Sequence, residues 1–254
     1  MGLSPEVASD NLHFGEEPPI SGVHGSGTIF LAGCSLRCVF CQNYPISQMH
    51  HGNRVSLPIL ASMMLGLQDR GAHNINFVTP THFAPQIMAA LLVAYRNGLS
   101  VPVVYNCGGY ESLEMLRLLD GIVDVYMPDM KYAESGPAGL YSDAPDYPEV
   151  NRSAILEMAR QVGTLELDGQ GIAVKGLLIR HLVLPAGGAG SESILRFIAE
   201  RVSPETHISL MRQYFPAHKA FQASPLDRKI TDVEYDAARR HLEQLGLEHG
   251  WIQE

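Results

Sequence analysis

The apolar positions of this chain fall into two spacings. Six short runs, TIFLA at 28–32, NINFV at 74–78, VPVVY at 101–105, VDVYM at 123–127, GLLIRHLVL at 176–184 and HISLM at 207–211, are rich in β-branched and aliphatic residues with little polar interruption. Runs of that length predict strands buried on both faces. Between them lie segments with helical spacing: SLPILASMMLGLQDRG with Ser56 as N-cap and Gly71 as stop, APQIMAALLVAYRNG ending at Gly98, SLEMLRLLDG, AILEMARQVG and SESILRFIAER. Strand and helix therefore alternate, which predicts a parallel sheet flanked by helices, either doubly wound or an open barrel. The tail TDVEYDAARRHLEQLG opens on a capping box, Thr231 with Glu234, and predicts a closing helix.

Two connections are long and turn-rich, AESGPAGLYSDAPDYPEV at 133–150 and FPAHKAFQASPLDRK at 215–229. Each follows the carboxyl end of a predicted strand, where βα folds carry their active sites, so both are candidate substrate loops as well as candidate solvated connections. A length of 254 residues suits one domain, expected over 21–254 behind an N-terminal extension at 1–20. No apolar run approaches the roughly 20 residues needed to span a membrane, and the first residues lack the basic and apolar regions of a secretory signal. The expectation is a cytoplasmic protein with no membrane association. A net charge of −9 argues against extended nucleic-acid binding, which needs clustered Lys and Arg.

Three of the four cysteines, Cys34, Cys38 and Cys41, fall within GCSLRCVFCQNY at 33–44, directly after the first predicted strand. Four cysteines are too few for a disulfide scaffold, and their clustering points to metal. Thiolates are soft ligands that suit zinc or iron–sulfur clusters. A closed zinc site wants a fourth ligand, for which Cys107, His24, His50 and His51 are available, but none of them completes the paired spacing of a zinc finger. An ordinary electron-transfer cubane also wants four protein thiolates. Three ligands on a cubane leave one iron open to a substrate or cofactor.

The C-x₃-C-x₂-C spacing, with the aromatic Phe40 before the last cysteine and repeated βα units behind it, resembles the radical SAM superfamily. The resemblance implies a [4Fe–4S] cluster on Cys34, Cys38 and Cys41, with S-adenosylmethionine chelating the open iron, inside a partial (β/α)₆ TIM-like barrel. It also implies the chemistry: an electron passes to the sulfonium, the S–C5′ bond breaks, and a 5′-deoxyadenosyl radical abstracts a substrate hydrogen. An electron donor such as flavodoxin or ferredoxin is the implied partner.

Later strand ends resemble one branch of that superfamily, the pyruvate formate-lyase activating enzymes. VDVYMPDMKY at 123–132 sets Asp129 and Lys131 at positions that lie beside the methionine moiety, and GLLIRHLVLPAG at 176–187 carries Arg180 and Leu182 onto positions near the ribose and adenine. The plainer reading of such charges is a structural ion pair. One departure stands out: the Gly-Gly-Glu-Pro motif that holds the SAM amino group in the activases is replaced by FVTPTHF at 77–83, where Thr79 and its backbone are the substitutes and His82 faces the cavity or caps the next helix. YNCGGYES at 105–112 puts Asn106 and Cys107 where the activases have Asp and Thr, with Cys107 either a packed core thiol or a cavity thiol. PAGGAGSES at 185–193 lacks the P-loop lysine and reads as a turn near the SAM site. The expected activity is hydrogen abstraction from a protein glycine or another macromolecular partner. A small-molecule radical SAM enzyme and a noncatalytic iron–sulfur carrier are the alternatives.

Overall fold

The computed structural model describes residues 4–252. Residues 1–3 of the expected extension and 253–254 at the end of the expected domain lie outside the described residues. The strands are β1 (Glu6–His13), β2 (Ser26–Leu31), β3 (Asn53–Arg54), β4 (Ile75–Val78), β5 (Val103–Cys107), β6 (Val125–Pro128), β7 (Glu166–Leu167), β8 (Ala173–Leu182), β9 (His207–Met211) and β10 (Gly250–Ile252). They form one sheet in the order β10-β9-β8-β6-β5-β4-β2-β1-β3, with β7 antiparallel on β8. The six apolar runs became β2, β4, β5, β6, β8 and β9, and these pair in parallel throughout. Their order across the sheet follows their order along the chain. A doubly wound sheet requires a reversal of strand order, so that alternative is not the one adopted.

The helices are α1 (Pro18–Ser21), α2 (Tyr44–Ser47), α3 (Leu57–Asp69), α4 (Ala84–Arg96), α5 (Leu113–Leu118), α6 (Ser135–Ser142), α7 (Tyr147–Val162), α8 (Ser191–Phe197) and α9 (Asp232–Gln244). Ser56 Oγ accepts from Ile59 N at 3.4 Å to start α3, and Thr231 with Glu234 forms the capping box of α9. α3 buries Leu60, Ala61, Met64 and Leu67, and α4 buries Ile87, Ala90, Leu91 and Ala94, both against Ile29, Leu31 and Phe77 of the sheet. Each large apolar side chain so buried contributes about 1.5–3 kcal/mol. A second core sets Ala154, Ile155 and Met158 of α7 with Ile194 and Leu195 of α8 and Tyr235 and Leu242 of α9, over Tyr105, Tyr126 and Ile179.

Two features depart from expectation. Residues 6–13, within the expected extension, pair antiparallel with β2 and widen the sheet. The connection at 133–150 is largely helical, holding α6 and the first turn of α7, because Pro148 sits in that first turn, where a missing N–H costs nothing. Among the described residues, no helix is long and apolar enough to cross a membrane.

Candidate active site

The cysteine loop begins where β2 ends. Gly33 turns the chain at φ +89, and a Cβ there would stand 3.0 Å from His82 Nε2, so glycine suits both the conformation and the space. The loop is then tied down by backbone bonds from distant segments. Arg37 N donates to Ser142 O at 3.0 Å, Val39 N to Tyr141 O at 2.8 Å, and Lys219 N to Val39 O at 2.8 Å. Both long connections, one through α6, thus hold the loop in place. Its apolar side chains, Leu36 and Phe40, pack with Tyr132, Tyr141, Tyr147 and Tyr214.

Each thiol has a polar neighbour. Ser142 Oγ donates to Cys38 Sγ at 2.9 Å, Leu36 N donates to Cys34 Sγ at 3.4 Å, and Cys41 Sγ lies 3.1 Å from Ser47 Oγ. None is in a disulfide. Burial, and then the neighbouring Cys38, push the Cys34 thiol up to about 11. Burial also raises Cys38, with the Lys131 ammonium pulling in the opposite direction. These are thiols that would gain greatly from a positive group arriving among them, since ligation replaces their protons.

Asp129 and Lys131, just past β6, lie on the same side as the cysteines. Lys131 Nζ donates to Asp129 Oδ2 at 2.5 Å, and Arg180 Nε of β8 donates to Asp129 Oδ1 at 2.9 Å. Burial would raise the Asp129 carboxyl, but the Arg180 guanidinium and then Lys131 outweigh it and hold its pKa below the usual carboxylate value. Arg180 reaches further, donating to Asn106 Oδ1 at 2.8 Å and to Glu16 Oε2 at 3.4 Å. The Asp129 backbone is fixed as well: Asn151 Nδ2 donates to its carbonyl at 3.0 Å, and Tyr147 OH donates to it at 2.9 Å. Gly109, at φ +71, leaves that carbonyl its space, since a Cβ there would stand 2.2 Å from the oxygen.

The other expected residues divide. Leu182 packs in the apolar cluster that includes Cys38 and Phe40, and the Phe40 ring meets Tyr214 edge-on at 5.8 Å. Thr79 takes φ +59, a strained conformation for a β-branched residue, with its N–H donating to Asn106 O at 2.8 Å. His82 turns to Ala32 O, with Nε2 at 2.7 Å, and is not among the residues lining the main cavity. Cys107 lies in the core beside Tyr105, away from the other three cysteines. Near it Glu111 is 2 % exposed, accepts from Thr81 Oγ1 at 2.6 Å and Tyr105 OH at 3.0 Å, and is pushed by burial up to about 7. Of the histidines considered as zinc ligands, His24 packs on His73 with ring centres 5.1 Å apart, and His50 faces Glu6 at 3.9 Å. Among the described residues, no trio of His, Cys, Asp and Glu is placed to hold a single metal ion.

A cavity of about 480 Å³ opens beside this network, lined by Gln42 and Asn43 immediately after Cys41, by Asn106 and Arg180, and by Glu16 and Glu17. That volume is in the range of small-molecule sites. Sequence reasoning missed Glu16 and Glu17, which precede the short helix α1, and also Ser142. Nothing in the local pattern marks them, because their roles come from contacts with segments far along the chain.

No family model matches this chain. It is 29% identical over 252 residues to an uncharacterized protein of Methanocaldococcus jannaschii, a match spanning 95% of this chain and 68% of that protein. Among solved structures it is similar to HydG, a maturase of the [FeFe]-hydrogenase, with a TM-score of 0.60 at 11% identity. That similarity covers 89% of this chain and 50% of the maturase, so this chain spans half the length of the structure it resembles. At this identity, what the two share is the mixed α/β fold with its largely parallel sheet.

Proposed function

We propose that this chain is a radical SAM iron–sulfur enzyme, an oxidoreductase that cleaves S-adenosylmethionine reductively and abstracts a hydrogen atom from its substrate. The observation that carries the reading is the cysteine loop: three free thiols at the carboxyl end of the first parallel strand, with Lys131 acting electrostatically on both Cys34 and Cys38. The donor set fits a [4Fe–4S] cluster with one open iron, because Cys34, Cys38 and Cys41 are soft ligands and Cys107 stays in the core. Bound together, cluster and SAM would supply one-electron reduction and hydrogen-atom abstraction. A partial (β/α)₆ barrel is the matching architecture, supported by a cavity whose walls come from β2, β4, β5, β8 and β9 through Phe30, Val78, Asn106, Arg180 and Ser209.

In this reading the chain's own residues bind and orient. Lys131, on the cysteine side, takes the SAM carboxylate, and Asp129 holds Lys131 and Arg180 in fixed positions. Arg180, Asn106 and Leu182 would border the nucleoside, Phe40 packs on Tyr214, and the Thr79 backbone, held at φ +59, would take the amino group in place of a Gly-Gly-Glu segment. α6 and residues 215–229 pack on the cysteine loop and bury Cys38, while Cys34 and Cys41 stay half-buried. The substrate is a protein glycine, as in the activating enzymes, or a small molecule of a size that the cavity of about 480 Å³ would admit. A flavodoxin- or ferredoxin-type donor would supply the electron. The test is anaerobic incubation with reductant and SAM, followed by detection of 5′-deoxyadenosine. Its formation supports the enzyme; a reconstituted cluster that leaves SAM intact favours an electron carrier instead. A glycyl radical on a candidate partner, detected by electron paramagnetic resonance, would return the substrate to the protein class.

A further inference from the structure

The cavity runs the depth of the sheet. Gln42 and Asn43, next to Cys41, line one end, while the other is lined by His13, Glu16 and Glu17. His13 pairs with Ser26, the first residue of β2, whereas the cysteines follow the last residue of that strand, so the two ends of the cavity lie at opposite ends of the strands. The end away from the cysteines has a distinct chemistry. Glu17 is 8% exposed, and its Oε2 is buried without a hydrogen-bond partner. Behind it Asn76, fully buried and outside the cavity lining, donates through Nδ2 to Glu16 Oε1 at 3.3 Å and so holds that carboxylate in place. The orphan Glu17 oxygen is an acceptor. A buried acceptor without a donor is destabilising, so a ligand that brings N–H groups offsets that cost.

Charge points the same way. The connected network holds three carboxylates, Glu16, Glu17 and Asp129, against two cations, Lys131 and Arg180. Both cations are already engaged by Asp129. Burial pushes Glu16 up despite Arg180, as expected of a carboxylate with too little positive charge around it. Trp251 of β10 also lines the cavity and offers an aromatic wall suited to a cation.

We propose that the end of the cavity formed by Glu16 and Glu17 is a substrate subsite for a small organic cation with N–H donors, a primary ammonium or amidinium group. The Glu17 carboxylate accepts its hydrogens, and the remainder of the substrate extends towards Arg180 and the cysteine end. This rests on reading the cavity as the substrate chamber of the proposed enzyme, but binding at the subsite is measurable without turnover.

The experiment is calorimetric titration of the anaerobically reconstituted 254-residue chain with n-butylamine hydrochloride and with n-butanol, in the absence and presence of saturating SAM. The expected result is amine binding with a Kd on the order of millimolar, at least tenfold tighter than the alcohol, and retained when SAM is bound. Glu17→Gln should weaken the amine at least tenfold while SAM affinity stays unchanged. Equal binding of amine and alcohol, displacement of the amine by SAM, or amine binding indifferent to Glu17→Gln would each overturn the proposal. Should Glu17→Gln not fold, the amine-to-alcohol comparison and the SAM competition decide on the unsubstituted protein alone. Failure of SAM to bind at all would count against the proposed function, while selective amine binding would still stand.

Discussion

The hydroxyl of Ser142 donates to the sulfur of Cys38 at 2.9 Å, across a separation of 104 residues in sequence. Tyr132 OH lies 2.6 Å from the same Ser142 oxygen, so a short chain of hydroxyls ends on the middle cysteine. Ser142 is 1% exposed, and its own carbonyl accepts from Arg37 of the loop. Ser142→Ala should therefore lower the stability of the metal-free protein by about 1–3 kcal/mol, because it leaves the buried Tyr132 hydroxyl short of a partner. Urea unfolding of Ser142→Ala beside Ser142→Thr checks this. An unchanged midpoint in the alanine variant would mean that the hydroxyl chain does not support the loop.

In the proposed function Lys131 takes the SAM carboxylate and holds no metal. Loss of a charge-assisted hydrogen bond weakens binding by about 1.5–3 kcal/mol, or roughly ten- to a hundredfold. Lys131→Ala should raise the SAM Kd by that factor and leave the iron content of the reconstituted protein intact. Equal SAM affinity in the two proteins would return Lys131 to the plainer role of an ion pair with Asp129.

Glu111 makes a pH prediction. Its carboxyl titrates near 4.5 when unfolded and is pushed by burial up to about 7 in the fold. A raised folded pKa means that the protonated form is the one the fold favours. The contribution is fully present below pH 4.5 and is lost as the pH rises through about 7, amounting to about 3 kcal/mol across that window. Glu111→Gln keeps the shape without the titration, so the stability difference between wild type and variant should drift by that amount between the two pH values. A difference that stays flat with pH would show that Glu111 is ionised without cost.

Gly33→Ala tests the turn into the cysteine loop. The position combines φ +89 with a Cβ contact of 3.0 Å to the His82 ring. The left-handed conformation alone costs an L-residue about 1–2 kcal/mol. Destabilisation of at least that size is expected, whereas Gly66→Ala, within α3 and with open space around its Cβ, should be neutral or stabilising. Equal effects at the two positions would contradict the strained turn.

The six buried strands were legible because each is nearly all apolar, and a parallel strand covered on both faces leaves that mark on local sequence. β1 was not, since EVASDNLH carries charge and amide side chains and becomes a strand by pairing with β2. α6 was hidden by Gly136, Pro137 and Gly139; it is held by the burial of Ala138, Tyr141 and Ser142, a tertiary effect that outweighs weak propensity. Of the candidate site, the cysteines were marked by their spacing, while Asp129, Lys131 and Arg180, which meet in one ion-pair network, were marked through resemblance alone. Ser142, Glu16 and Glu17 carry no local signal, because what distinguishes them is which distant atoms they meet.

In the proposed function Cys34, Cys38 and Cys41 hold a [4Fe–4S] cluster whose remaining iron binds SAM. Its most direct test is the electron paramagnetic resonance spectrum of the anaerobically reconstituted, reduced protein, recorded with and without SAM beside iron analysis of Cys34→Ala, Cys38→Ala and Cys41→Ala. The expected result is about four irons per chain, their loss in each variant, and a cluster signal that changes when SAM is added. Tight stoichiometric zinc without iron, or an iron–sulfur signal that SAM leaves unaltered, would contradict it.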